Sequence, residues 1–214
     1  MDRTRVVAGY RVVFALLTLG AVAYQAWVLI DAGTFAPLNF LSYFTIQSNL
    51  IGVAVFLVGA ARGRSTPAQG WALVRGGAVV YMTVTLVVFN LLLAGADVDT
   101  ATAWVNTVVH QLFPIVVIAD WLIDPPGHRI TVRDSLVWLL YPVAWLAYTM
   151  IRGPLADWYP YPFLDPANGG YGTVAVYIVG IFAFGLALCA AVAWLGTLRS
   201  GAAVSPGPAA APPA

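Results

Sequence analysis

The chain contains no lysine and no glutamate, so its ten basic side chains are all arginine and its nine acidic side chains are all aspartate. Charged residues make up only 9% of the 214 residues and hydrophobic residues 61%, whereas an ordinary soluble domain is about 25% charged. A soluble protein of this size would need more polar cover. The composition therefore indicates a membrane protein, and the net charge of +1 argues against a nucleic-acid partner.

Ligands for metals and cofactors are equally scarce. Cys189 is the only cysteine, so neither an internal disulfide nor a thiolate metal site can form. The two histidines, His110 and His128, are separated by roughly 27 Å of predicted helix and connector, too far to share a haem. The chain also lacks Gly-x-Ser-x-Gly, His-Glu-x-x-His and a phosphate-binding loop. We therefore expect no metal and no cofactor.

Six apolar stretches each approach the roughly 20 residues that a spanning helix needs. They predict helices over residues 6–30, 40–61, 71–94, 103–123, 135–151 and 173–198. We expect the first helix to be retained rather than cleaved as a signal peptide, because Arg11 lies inside it. The predicted fold is an all-α bundle of six transmembrane helices within residues 1–199. Residues 200–214, rich in proline and alanine, predict a disordered cytoplasmic tail.

The arginines are distributed unequally between the two sides of the predicted bundle. Arginine-rich connectors stay in the cytoplasm, and one side collects nine of the ten arginines. We therefore expect a multi-pass protein of the cell membrane with both termini cytoplasmic. The nine are Arg3, Arg5, Arg11, Arg62, Arg64, Arg75, Arg129, Arg133 and Arg199, and Arg152 alone falls on the outer side.

Polar side chains in the second span are unusual because the hydrocarbon core makes them costly. Thr45, Ser48 and Asn49 are spaced i, i+3 and i+4, so they share one face of the helix. Gln47 belongs to the same polar run. Such a face predicts an interior position in the bundle.

The fourth span carries a second polar face, formed by Asn106 and His110 at a spacing of four. Pro114, four residues further on, removes the helical hydrogen bond to the His110 carbonyl, which predicts a kink beside the imidazole. Counted along their spans, Thr45, His110 and Asn90 all lie roughly 6–10 Å below the outer surface. Three different helices therefore bring polar groups to one level.

Each polar residue also has a structural interpretation. A membrane threonine commonly bonds a carbonyl of its own helix, and histidine and asparagine commonly join helices. Asp120, near the inner end of the fourth span, is expected to cap a helix or pair with an arginine. The common depth of the polar groups is what favours a functional site.

Three segments of the chain resemble a known family: FTIQSN at 44–49, His110-x-x-x-Pro114, and YPYPFLD at 159–165. They are similar to a bacterial six-pass membrane family related to the androgen-induced and androgen-dependent integral membrane proteins of animals, over about residues 5–198. Those animal proteins hydrolyse fatty acid esters of hydroxy fatty acids with a membrane-embedded threonine and histidine. The resemblance implies the same roles for Thr45 and His110, with membrane lipids as partners and a fatty acid ester as substrate.

On this interpretation Thr45 is the nucleophile and His110 the general base that accepts its proton. Asn49, Asn106 and Gln47 are candidates to orient His110 or to bind the oxyanion, and Asn90 is a further supporting polar residue. The remaining candidates lie on the outer side of the chain. Arg152 is a candidate to hold a fatty-acid carboxylate or to contact a lipid phosphate, and the Tyr-Pro-Tyr-Pro connector is either a lid or a rigid interfacial loop.

Two other functions stay open at this point. A non-enzymatic lipid-binding or partner-stabilising protein would use the polar cluster only to hold its helices together. A small-solute transporter is disfavoured, because the chain has no two-fold internal repeat and we expect no intramembrane charge.

Overall fold

The computed structural model describes residues 2–62, 68–93 and 102–201, with the side chains of 198–201 left out. These ranges contain helices and no strand, and six of the helices are long and apolar enough to cross a membrane. This confirms the predicted all-α bundle. The six are α1 Arg3–Asp31, α3 Phe44–Arg62, α4 Gln69–Leu93, α5 Ala103–Ile123, α6 Val132–Ala156 and α7 Gly170–Gly201, and a short α2, Pro37–Ser42, precedes α3. Apart from its first two residues, the predicted tail lies outside the described ranges.

Successive spans alternate in direction, so the bundle has two distinct ends. We call the end where α1 begins the basic end, and the opposite end, where α3 begins, the cavity end. Helix α4 is central and packs on α3, α5 and α7, while α1 packs on α3. Gly52 permits the close packing of α3 on α5, because a Cβ at this position would lie 2.8 Å from Cε1 of Phe113.

The second span does not begin at Phe40, as its hydropathy predicts. The chain breaks at Tyr43, whose extended backbone separates α2 from α3. Polar groups near the break satisfy the carbonyls that it frees: Gln47 Nε2 donates to the Leu41 carbonyl at 2.6 Å, and Trp145 Nε1 donates to the Ser42 carbonyl at 2.9 Å. Gln47, one of the polar residues of this span, therefore stabilises the break between α2 and α3.

A buried cluster of charges joins α1, α4 and α5 near the basic end. Arg11 Nε lies 2.7 Å from Asp120 Oδ1, and Arg75 Nη2 lies 2.9 Å from Asp120 Oδ2. Tyr10 donates its hydroxyl to Asp120, and both arginines also pair with Asp124 just beyond the end of α5. The expected pairing of Asp120 with arginine is confirmed. The expectation of no intramembrane charge is wrong, because Arg11, Arg75 and Asp120 lie buried within three of the candidate spans and neutralise one another.

Helix α6 leans away from the bundle toward the cavity end. Its first residues, 132–139, pack closely on α7 and α4, whereas the backbone of Leu140–Ala156 lies farther from both helices. Long side chains bridge this distance, as at Tyr141, whose ring centroid lies 4.8 Å from that of Tyr81 on α4. Aromatic side chains of α6 also reach the α2–α3 junction, where Tyr148 pairs with Ser42 at 2.8 Å and Tyr141 donates to Gln47 at 3.0 Å. A gap between α6 and α7 is the result.

Candidate functional site

A cavity of about 200 Å³ lies at the cavity end, between α1, α3, α5 and the connector that links α6 to α7. Thr45 and His110, from different helices, both line it. Gln25, Asn39 and Tyr161 add further polar groups to its wall. Of the three residues predicted at one level, Thr45 and His110 thus share a space that can hold part of a ligand, and Asn90 does not line it.

Thr45 lies in the first turn of α3, and its partner is the phenol of Tyr161. The Tyr161 oxygen accepts the Thr45 backbone N–H at 3.1 Å and lies 3.2 Å from Thr45 Oγ1. That N–H is one of the donors that the start of a helix leaves without a helical acceptor. Tyr161 therefore caps α3 and fixes the Thr45 hydroxyl, which is paired with Tyr161 rather than with His110.

His110 lies in a π-helical turn of α5, Val108–Leu112. Its ring stacks on Phe89 of α4, with centroids 4.0 Å apart and planes 16° from parallel. Nδ1 is 3.3 Å from the Asn106 backbone carbonyl. Because a carbonyl only accepts hydrogen bonds, this contact assigns the ring proton to Nδ1 and leaves the lone pair on Nε2. The imidazole is thereby oriented as a base.

Pro114 and Asn49 together account for the π turn. The Phe113 N–H bonds to the Val108 carbonyl, one residue further back than in an α-helix. In this register the donor for the Val109 carbonyl would be residue 114, and proline has no N–H. Asn49 supplies the missing bond, because its Nδ2 donates to the Val109 carbonyl at 3.0 Å and to the Thr45 carbonyl at 2.8 Å. One amide thus connects the Thr45 turn to the His110 turn.

The remaining predicted residues are less central. Gln47 is held by Leu41 and Tyr141 and does not line the cavity. Asn90 is exposed and donates to the Leu86 carbonyl of its own helix at 2.7 Å. Asn106 is half-buried and meets the His110 ring through its backbone carbonyl. The structure therefore brings Thr45, Asn49 and His110 together, and leaves Gln47 and Asn90 outside.

Arg152 lies beside the cavity, at the end of α6. Its Nη2 donates to Asn39 Oδ1 at 2.6 Å, and its guanidinium lies 5.3 Å from the centre of the Trp158 ring. Asn39 and Trp158 both line the cavity. Within the described part of the chain Arg152 forms no ion pair with a carboxylate, so its positive charge is available to an anion.

Sequence reasoning missed two cavity residues, Tyr161 and Gln25. Gln25 is the only side-chain amide in α1, a signal that could have singled it out, and it is 2% exposed. Tyr161 belongs to the recognised YPYP segment, but its sequence position does not reveal that it contacts Thr45. Burial raises the pKa of the Tyr161 phenol, so the group stays protonated and can donate a hydrogen bond.

A second, apolar space adjoins the cavity. It runs between α4, α6 and α7 and shares Thr45, Leu93 and Tyr161 with the first. Thr45 therefore stands where a polar space and an apolar space meet. Across the described ranges no group of three or more histidine, cysteine or acidic residues is placed to hold a metal ion.

Comparisons with known proteins give no relative from which a function could be transferred to the chain, so its function is inferred from the geometry of the cavity. No protein-family model, curated protein or solved structure matches the chain.

Proposed function

We propose that the chain is a lipid ester hydrolase of the membrane, with Thr45 as the nucleophile and His110 as the general base. The observation that carries the proposal is that one cavity is lined by both residues, and that Thr45 also borders an apolar space. An ester of a fatty acid needs this combination, because its carbonyl requires polar groups and its chain requires an apolar wall. The segments 44–49, 110–114 and 159–165, which resemble the bacterial six-pass family, support the same assignment by extension from the animal relatives of that family.

The proposed reaction has two steps. The Thr45 Oγ1 attacks the ester carbonyl carbon while its proton passes, through a water in the cavity, to Nε2 of His110. The bond to the alcohol oxygen breaks, and the imidazolium returns the proton to that oxygen. Water then attacks the acyl-threonine and gives a proton to His110. The bond to Oγ1 breaks, Oγ1 regains the proton, and the fatty acid leaves.

Tyr161 and Asn49 have supporting roles in this reaction. The Tyr161 oxygen already accepts the Thr45 N–H, so its own proton can be donated to the oxyanion that develops on the substrate. Both Asn49 hydrogen bonds described here end on backbone carbonyls, and Asn49 therefore positions the two catalytic turns. Arg152, beside Asn39 at the cavity, would bind a carboxylate or phosphate of the substrate.

Covalent labelling is the direct test of an activated hydroxyl. We expect a fluorophosphonate probe to modify the purified protein on the peptide that contains Thr45, and a long-chain ester to slow the labelling. A protein that is labelled nowhere, and that hydrolyses no ester across a broad panel, would instead be a lipid-binding or partner-stabilising subunit. In that case the Thr45–Tyr161 and His110–Phe89 contacts would serve packing alone.

Replacing Tyr161 by phenylalanine isolates the contribution of its hydroxyl. We expect Tyr161→Phe to lower kcat about 10²-fold, as loss of one oxyanion donor does, while KM changes little. Steady-state kinetics in detergent micelles would measure both constants. Tyr159→Phe, in the same connector, is the matched control and should retain wild-type kcat. Equal losses in the two variants would assign the effect to the connector as a whole.

The arginine asymmetry supports an orientation in which the cavity end faces the outer leaflet and both termini are cytoplasmic. In a Cys189→Ser background we expect a membrane-impermeant maleimide to label Ala167→Cys on intact cells. Gly127→Cys, in the connector at the basic end, should react only after permeabilisation. The opposite pattern would place the active site on the cytoplasmic side.

A further inference from the structure

The apolar space beside Thr45 is a groove with a side opening, a wall and a floor. Its wall is buried on α4, where Val80, Phe89 and Leu93 are 1–6% exposed. Val143 of α6 and Phe182 of α7 line the opening of the groove, and they are 47% and 44% exposed. The groove therefore opens sideways, through the gap between α6 and α7, to the surface that lipid covers.

The groove is closed at both ends. At the cavity end it is capped by Leu164 of the connector, which is 2% exposed, and meets Thr45 and Tyr161. At the other end the first residues of α6, 132–139, pack against α7. Leu139 and Gly185 line the groove there, and a Cβ on Gly185 would lie 3.5 Å from Leu139 Cδ2. We call this close approach of Gly185 to Leu139 the floor of the groove.

The groove is long enough to hold an extended lipid chain. From Leu93 to Val80 along α4 it covers roughly 20 Å at about 1.5 Å per residue. The groove is thus longer than the acyl region of one leaflet, which is about half of the roughly 30 Å hydrocarbon core. A chain that entered from the leaflet could therefore lie along the groove with its ester end at Thr45 and its methyl end near Gly185.

We infer that the groove is the acyl-chain subsite, that it admits the chain of an outer-leaflet lipid ester through the α6–α7 gap, and that its floor at Gly185 and Leu139 sets the accepted chain length. The inference rests on the proposed function for the position of the ester at Thr45. The occupant is apolar because the described lining offers no charged side chain, and its only side chains that can form hydrogen bonds are Thr45, Thr85, Trp145 and Tyr161. Chains that end above the floor leave apolar wall without a partner, and longer chains collide with it.

Photocrosslinking tests the groove without relying on hydrolysis. A phospholipid with a palmitoyl chain that carries a terminal diazirine is irradiated with the Thr45→Val protein in nanodiscs. We expect crosslinks on peptides containing Leu139 and Gly185. An octanoyl probe with the same terminal group should react instead about halfway along the groove, near Val84 and Ile178. Uniform labelling of all lipid-facing helices by both probes would overturn the inference, whatever the activity of the enzyme.

Shortening the groove tests whether its floor sets the accepted chain length. Gly185→Val adds bulk at the floor, and we expect it to lower the ratio of palmitoyl to octanoyl hydrolysis by about tenfold or more, with loss of the palmitoyl crosslink at Leu139. Gly180→Val is the control on the same helix, because a Cβ at Gly180 meets nothing within 4 Å, and it should leave the ratio unchanged. If the two variants have equal ratios of palmitoyl to octanoyl hydrolysis, the floor does not set the chain length. If neither the wild type nor the variant hydrolyses esters but Gly185→Val removes the palmitoyl crosslink at Leu139, the groove is an acyl-chain subsite and the assignment of Thr45 as nucleophile fails.

Discussion

Thr45→Val is expected to reduce ester hydrolysis to background and to abolish fluorophosphonate labelling, with the protein still folded and inserted. Valine keeps the branched shape of threonine and removes only the hydroxyl. Thr45 is 6% exposed, and its backbone N–H retains Tyr161 as acceptor after the change, so the start of α3 should stay intact. Thr45→Ser, which keeps a hydroxyl, should retain partial activity.

His110→Ala is expected to lower kcat by about 10²–10⁴-fold, the usual range for a general base. If Thr45 and His110 act as one unit, the double variant should be hardly worse than either single variant.

Thr83→Val is the control for Thr45→Val, because Thr83 bonds the Val79 carbonyl at 2.7 Å and lines neither the cavity nor the apolar groove. Size-exclusion profiles and helical circular dichroism would establish folding. Full activity in Thr45→Val would end the assignment of Thr45 as nucleophile.

Asp120→Asn is expected to lower the free energy of unfolding by about 3–5 kcal/mol, the usual cost of removing one member of a buried ion pair. Asp120 is 5% exposed and receives both Arg11 and Arg75. Its neutralisation leaves two guanidinium groups with Asp124 alone, 26% of whose side chain is exposed. Unfolding in mixed micelles of increasing SDS content would measure the loss.

Two further variants separate charge from packing at this cluster. Asp31→Asn, at the exposed end of α1, should change the free energy of unfolding by less than about 0.5 kcal/mol. Replacing Arg11, Arg75 and Asp120 together by Met, Met and Leu should recover much of the stability, because apolar residues can substitute for buried ion pairs and the side chain of Asp124, which is 26% exposed, can be hydrated. A stable Asp120→Asn protein would mean that the cluster contributes little to folding.

The number and approximate bounds of the spans followed from sequence because lipid demands long apolar helices. The break at Tyr43 did not, since hydropathy cannot distinguish a continuous helix from two helices whose carbonyls are satisfied by Gln47 and Trp145. Pro114 correctly indicated a disturbance near His110. It did not reveal that the register shift frees the Val109 carbonyl for Asn49.

For the site, the sequence indicated how far along its helix each residue lies but left its rotation and its partners open. Thr45, His110 and Asn90 were predicted at one level, yet Asn90 is exposed and bonds its own helix. One residue along a helix turns a side chain by about 100°, so depth alone cannot assign a face. Tyr161 was missed because the fold of the connector, not a periodic pattern, brings it to Thr45.

The cluster at the basic end carries two positive and two negative charges, so its net charge is zero. A potential across the membrane does about 2.3 kcal/mol of work per about 100 mV on each charge that crosses it. On this cluster the contributions of the arginines and aspartates cancel. The junction of α1, α4 and α5 should therefore hold the same geometry in an energised and a de-energised membrane, and a voltage change should produce no gating current from it.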